Sequence, residues 1–392
     1  MNSKSFENHL KTQLIPFWNH MEDLEHGGFY GYADENGLPD KQSIKGCILN
    51  SRILWFYSAS YNLLKDPELL RKADHAFDFL RLHFYDNVYK GVFWSVEADG
   101  TPSDTTKHTY CQAFAIYALS EYYMASHSTK VLDLAYDLYL TIEEKCRDNE
   151  GYLESFSRDF SPVSNDKLSE NGVIASRTMN TLLHVMEAYT SLYAADGSHR
   201  VGNSIFEILR IFKTRIYNEN KEICEVFFDK EYHSLISLES YGHDIEASWL
   251  IERACEVLGD KAIYEEMRPI IDGLAKEALY NGVDKKNLAM NNECENEIVN
   301  TTKIWWVQAE AVTGFYNAFQ MHPEKDLYKN ASEAIWKFIQ THVIDQKSGE
   351  WIENIYPESS AQPAQALAHP WKGPYHNGRM CIEMIKRLGV GA

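Results

Sequence analysis

The chain has 392 residues, 44% of them hydrophobic and 24% charged, which supplies a large core and argues against disorder. With 57 acidic against 38 basic side chains the formal net charge is −19, which argues against a nucleic-acid surface or an anionic membrane as partner. There is no run of 18 apolar residues, no apolar signal core near Met1, and the seven cysteines show no C-x-x-C pair, so a cytoplasmic protein with reduced thiols is expected.

An amphipathic helix is predicted over about 3–20, with Phe6, Leu10, Leu14 and Phe17 on one face. From there the chain repeats weakly, every 60–70 residues or so. Six turn-rich, aromatic segments read as short hairpins. They begin near Gly27-Gly28-Phe29, Gly91-Val92-Phe93-Trp94, Gly151-Tyr152-Leu153, Ile223-Cys224, the region from Val283 to Met290, and Gly349-Glu350-Trp351. The fifth, mostly Asn, Glu and Lys, reads as a longer irregular loop.

After each hairpin comes a stretch of helical period that is small and apolar nearly all round, at about 46–64, 107–125, 174–195, 243–258, 303–320 and 376–388. These should be buried on most sides. A second, more amphipathic helix follows at about 67–84, 129–146, 198–216, 261–280 and 325–342. Adding the N-terminal helix gives six inner and six outer helices, the pattern of an all-α (α/α)6 barrel closed by its two ends, with hairpin loops at one rim. No composition break divides it, so 1–392 is expected to form a single catalytic domain.

In such a barrel the first turns of the inner helices ring one mouth. The first offers Arg52, the second His108 and Tyr110, and the third Asn180 and His184. The fourth offers His243, Glu246 and Trp249, which fall within an arc of about 120°. The fifth offers Trp305, Trp306 and Glu310, and the sixth Trp371, Tyr375, His376, Asn377 and Arg379. Any one of these could be a satisfied buried polar group, but six helices with such groups on the mouth side point to a site. Aromatic rings with convergent hydroxyl-binding groups suit a sugar. No nucleotide loop or G-x-S-x-G elbow is present, and no cofactor is implied. The pairs His184/Glu187 and His243/Glu246 raise a metal site, but H-E-x-x-H is absent and no metal is expected.

At these residues the sequence resembles the N-acylglucosamine 2-epimerase superfamily, and within it the cellobiose 2-epimerases, over essentially the whole chain. The resemblance runs through Phe17-Trp18, Gly27 to Tyr32, Ser51 to Phe56, Lys107 to Tyr110, Ser169-Glu170-Asn171-Gly172, Ser240 to Trp249, Trp305 to Glu310 and Trp371 to Arg379. It implies an (α/α)6 barrel and a metal- and cofactor-independent 2-epimerisation of the reducing-end glucose of β-1,4-disaccharides such as cellobiose and lactose. The matching positions are Arg52, Asn180, His184, His243, Glu246, Trp249, Trp306, Glu310, Trp371 and His376.

Inverting C2 of an aldose needs proton carriers on both faces of that carbon, and imidazole suits the task. His243 and His376 are expected to form that pair, oriented by Glu246 and Glu310 respectively, with His376 also opening the ring. Arg52 and His184 would stabilise the enediolate. Asn180 would position a hydroxyl, and Tyr110, Trp249, Trp306 and Trp371 would bind the sugar. The expected partner is a disaccharide (cellobiose, lactose or mannobiose), and the protein a monomer. Competing readings are an N-acylglucosamine epimerase or mannose–ketose isomerase of the same superfamily, an inverting glycoside hydrolase using Glu246 and Glu310, and a non-catalytic sugar-binding barrel.

Overall fold

Two-residue turns set the helical rhythm of the chain, seen in a computed structural model that describes residues 1–168, 171–357 and 359–389. The first four inner helices, Cys47–Leu64, Thr109–Ser126, Met179–Asp196 and Tyr241–Leu258, each end on a left-handed residue: Lys65, His127, Gly197 or Gly259. The next residue, Asp66, Ser128, Ser198 or Asp260, is already the N-cap of an outer helix. Asp66 and Asp260 accept backbone N–H groups of the turn they cap. The chain thus reverses at once, and each outer helix packs on the inner helix before it.

The fifth and sixth inner helices are Trp305–Met321 and His376–Leu388. Each inner helix touches the next and the sixth returns to the first, while the N-terminal Ser3–His9 helix covers the sixth from outside. The ring is the expected (α/α)6 barrel. Its inner helices are buried nearly all round, as in Thr109 to Ser120, where every residue is buried. Among the described residues no helix is long and apolar enough to cross a membrane.

Three expectations are corrected. The third inner helix starts at Met179, not near 174, because Arg177–Thr178 is a strand paired with Phe227–Phe228 and Thr178 caps the helix by accepting the Thr181 N–H. The outer helices do not stay α-helical to their ends. Pro67–Phe79, Thr129–Thr141, His199–Ile211, Lys261–Glu277 and Asp326–Phe338 each run into a five-residue π turn, and the N-terminal helix contains one at Leu10–Leu14. In every such turn the first and fifth residues are buried, as with Leu80 and Phe84 or Phe212 and Ile216. The wider winding brings both onto the core side just before the chain leaves the helix. The fifth hairpin, read as an irregular loop, does close, through a bridge between Val283 and Met290, and a second hairpin, Glu293–Glu295 with Ile298–Asn300, follows it.

The hairpins share one polar device. Asp23, Asp86, Asp148, Asp284 and Asp345 each accept backbone N–H groups of the turn that follows, and Asn218 does so in the fourth repeat. In four repeats a cation two residues before the inner helix reaches back to that aspartate: Lys45 to Asp23 at 2.7 Å, Lys107 to Asp86 at 3.2 Å, Arg177 to Asp148 at 2.6 Å and Lys303 to Asp284 at 2.9 Å. The fourth repeat lacks both charges in step, with neutral Asn218 in the turn and Glu239 where the cation would stand.

The same pre-helix residues form a ladder with the following repeat. Lys45–Gly46 pairs with Ser95–Val96, Lys107–His108 with Ser155–Phe156, Leu238–Ser240 with Glu293–Glu295, and Lys303–Ile304 with Asn354–Ile355. Ala33 pairs with Ala368 and joins the last repeat to the first. Hence the starts of the inner helices are pinned at one rim.

Lys45 is wholly buried, with Asp23, the Gly27 carbonyl at 2.8 Å and the Phe79 ring around it. Lys45→Met leaves Asp23 buried without its cation and should cost about 3–5 kcal/mol, read as a lower denaturant midpoint at unchanged m.

Candidate active site

A cavity of about 270 Å³ opens at the pinned rim. Its wall is built in two levels from the inner helices. The upper level uses residues of the opening turns: Tyr110, Asn180, His243, Trp306 and His376. One turn deeper come Arg52, His184 and Glu246, each the sixth residue of its helix. The rim loops add Trp371, Asn292, Glu293, Glu353 and Asn354.

Each histidine is held by its Nδ1. His243 meets the Ser240 hydroxyl at 2.7 Å, His184 the Glu187 carboxyl at 2.9 Å, and His376 the Glu310 carboxyl at 2.7 Å. With Nδ1 fixed, Nε2 is the nitrogen left for a ligand. The Trp306 ring lies against both outer histidines, 4.7 Å from His243 and 5.4 Å from His376 between ring centroids. Arg52 donates to the Trp371 carbonyl at 2.7 Å and to the Tyr110 hydroxyl at 3.2 Å, and lies over the Phe114 ring at 4.5 Å. Burial lowers all three histidines, His243 to about 3, so they stand as neutral imidazoles.

Beneath them the sixth inner helix inserts Arg379. Its guanidinium contacts Glu187, Glu246 and Glu310, the last at 2.8 Å, and lies 4.2 Å from the Tyr375 ring. The Tyr375 hydroxyl donates to Glu187 at 2.5 Å. Glu246, Glu310 and His376 have potential ligand atoms within 4.8 Å of one another, but Arg379 already contacts both carboxyls, so the protein supplies the cation there itself.

Two sequence expectations are corrected here. Glu246 does not orient His243: its Oε1 belongs to Arg379, and Ser240 holds the histidine. Trp249 is not a sugar platform. It lies about 9 Å further along the helix axis than His243, donates its indole N–H to Glu310 at 3.1 Å, and lines a separate cavity reached from the other side. Glu310 likewise stands behind His376. The remaining expected residues, Arg52, Tyr110, Asn180, His184, His243, Glu246, Trp306, Trp371 and His376, are brought together on one cavity. The resemblance block at Ser169 and Glu170 lies outside the described residues.

Sequence reading gave no role to Glu187, Ser240, Tyr375 or Arg379. The signals were there: Ser240 and Glu187 each stand three residues from a histidine, and Tyr375 and Arg379 are four apart on one helical face.

Arg379→Met should cost about 3–5 kcal/mol, since it strands buried carboxyls that share one cation, and chemical denaturation would measure it. The pH dependence follows from the depressed histidines. They stay unprotonated, and competent as bases, until the pH falls well below the ordinary value of about 6.5. The acid limb of kcat/KM should therefore lie below that value in a pH–rate profile.

The family model described as N-acylglucosamine 2-epimerase (GlcNAc 2-epimerase) matches residues 28–377. The chain is 48% identical to the cellobiose 2-epimerase of Eubacterium cellulosolvens, with 96% of each chain covered, and 43% identical to that of Ruminococcus albus, with 96% of this chain and 97% of that one covered. The crystal structure of a sugar epimerase from a ruminal bacterium superposes with a TM-score of 0.96 at 41% identity, covering 100% of both chains. With the family model matching most of its length and relatives this similar, this chain belongs to the N-acylglucosamine 2-epimerase family.

Proposed function

We propose that this protein is a cellobiose 2-epimerase, an isomerase that reversibly converts the reducing-end glucose of β-1,4-linked disaccharides to mannose. The observation that carries the reading is the pair His243 and His376, on different inner helices, both against Trp306 and both with Nδ1 engaged. Full-length identity to curated cellobiose 2-epimerases supports the substrate class. The reading takes 1–392 as one catalytic domain acting as a cytoplasmic monomer. Seven unpaired cysteines, six of them buried, fit a reducing compartment.

The sugar must first open. His376, backed by Glu310, opens it by relaying one proton: its neutral Nε2 takes the proton of the anomeric hydroxyl and returns it to the ring oxygen as the bond from C1 to that oxygen breaks and the C1 carbonyl forms. One neutral imidazole then takes the proton from C2, leaving an enediolate whose oxygens face Arg52 and His184. The other imidazole, having taken up a proton from solvent, delivers it to the opposite face of C2, the first returns its own to solvent, and the ring closes as the epimer. A carboxylate behind His376 and only a hydroxyl behind His243 make the two unequal, the former better able to carry positive charge. Trp306, Trp371 and Tyr110 pack on the sugar faces, and Asn180 fixes a hydroxyl.

The hydrolase reading fits the geometry poorly. An inverting pair needs about 6.5–9.5 Å between carboxyls, whereas potential ligand atoms of Glu246 and Glu310 lie within 4.8 Å.

Incubation with cellobiose, without metal or nucleotide, should yield glucosyl-mannose and no monosaccharide. In D2O the label should enter C2, and His243→Ala or His376→Ala should abolish that incorporation. Full incorporation with either histidine replaced would sink the two-base scheme. Turnover of N-acetylglucosamine or mannose with cellobiose inert would assign a different substrate.

A further inference from the structure

The cavity floor carries a charge imbalance. Glu187, Glu246 and Glu310 are all buried and all contact one guanidinium, that of Arg379. The other charged or titratable groups around Glu246 are His376 and Tyr375 from the sixth inner helix, His184 from the third, His243 from its own, Arg52 from the first and Tyr110 from the second. Arg52 keeps its charge but bonds the neutral Trp371 carbonyl and Tyr110 hydroxyl and, among the described residues, forms no ion pair with any of the three carboxyls, while burial keeps the histidines neutral. Three buried carboxylates beside one such cation repel one another, and a proton on one of them relieves this.

The donors decide which one. Glu187 accepts from Arg379 and Tyr375 and faces His184, and its carboxyl is held down to about 2 against the cost of burial. Glu310 accepts from Arg379 and Trp249 and faces His376. Glu246 has Arg379 alone, on Oε1, and its buried Oε2 has no partner among the described residues. Burial first, and the Glu310 charge second, push its carboxyl up to about 8.

We propose that Glu246 is a neutral carboxylic acid in the working enzyme, its Oε1 accepting from Arg379 and its Oε2–H offered at the cavity floor as a hydrogen-bond donor to the oxygens at C1 and C2 of the bound sugar. This deepens the epimerase reading and rests on it. No proton leaves Glu246; its hydrogen bond strengthens as negative charge grows on the enediolate. The role is distinct from that of a carboxylate orienting His243.

Glutamine reproduces both contacts, an oxygen toward Arg379 and an N–H toward the sugar. Glu246→Gln should keep kcat/KM within about tenfold of wild type, while Glu246→Leu loses a hundredfold or more, on the order of a lost oxyanion donor. Infrared spectra of the free wild-type enzyme should show the carbonyl band of a protonated carboxyl that fades above pH about 8 and is missing from Glu246→Gln. The alkaline limb of the wild-type pH profile should vanish in that variant. A wild type without the band, a band that survives in Glu246→Gln, or a loss beyond a hundredfold in a folded Glu246→Gln would each overturn the assignment. The infrared measurement uses no substrate, so its failure strikes the protonation of Glu246 alone, whereas a wild type that leaves cellobiose unchanged strikes the function.

Discussion

One guanidinium organises the centre of this barrel. Arg379 reaches Glu187, Glu246 and Glu310, which sit on the third, fourth and fifth inner helices, and so ties four of the six inner helices together at the level of the cavity floor. Burying such a cluster is expensive, and replacing it by apolar side chains would often cost nothing in stability. Its yield is geometric. Glu187 turns one oxygen to Arg379 and the other to His184, while Glu310 shares Oε1 between Arg379 and His376 and accepts from Trp249 on Oε2, so the ring planes of His184 and His376 are fixed from behind.

The rim does complementary work. In four repeats the residue two before the inner helix is tied to the preceding hairpin by an ion pair and to the following repeat by a short ladder. Opening turns that would otherwise fray are thereby held in register, and the opening turns are where Tyr110, Asn180, His243, Trp306 and His376 stand. Rigid placement of this kind lets two imidazoles address the same carbon from different helices. The fourth repeat has neither half of the pair, with neutral Asn218 in the turn and acidic Glu239 in the cation's place, and the sixth has Pro374 there.

Most of the architecture was legible in the sequence because its two signals are local. Inner helices such as Thr109–Ser126 are apolar all round, and outer ones such as Pro67–Phe79 are one-faced. The π turns were not legible: Leu80 and Phe84, four apart, satisfy an α-helical pattern equally well. At the site, position along a helix predicted which residues ring the mouth, but not their partners. His243 and Glu246 share a helical face, yet Glu246 turns to an arginine 133 positions away, a pairing no local pattern encodes. Trp249 shares that face too, and what the angular reading omitted was depth. Two turns further along, the same face of the helix looks onto the opposite cavity.

Connectivity leaves a mark on how the molecule is made. His376 and Arg379 both lie on the last helix of the ring, the one that the N-terminal helix covers. Five inner helices leave the ribosome before the cation that reconciles their carboxyls exists. Until then Glu187, Glu246 and Glu310 lack their shared cation, and the ring lacks the helix that joins its fifth member to its first. The reaction centre and the closed ring thus depend on the same last helix, so a polypeptide released short of it carries His243 but neither His376 nor Arg379.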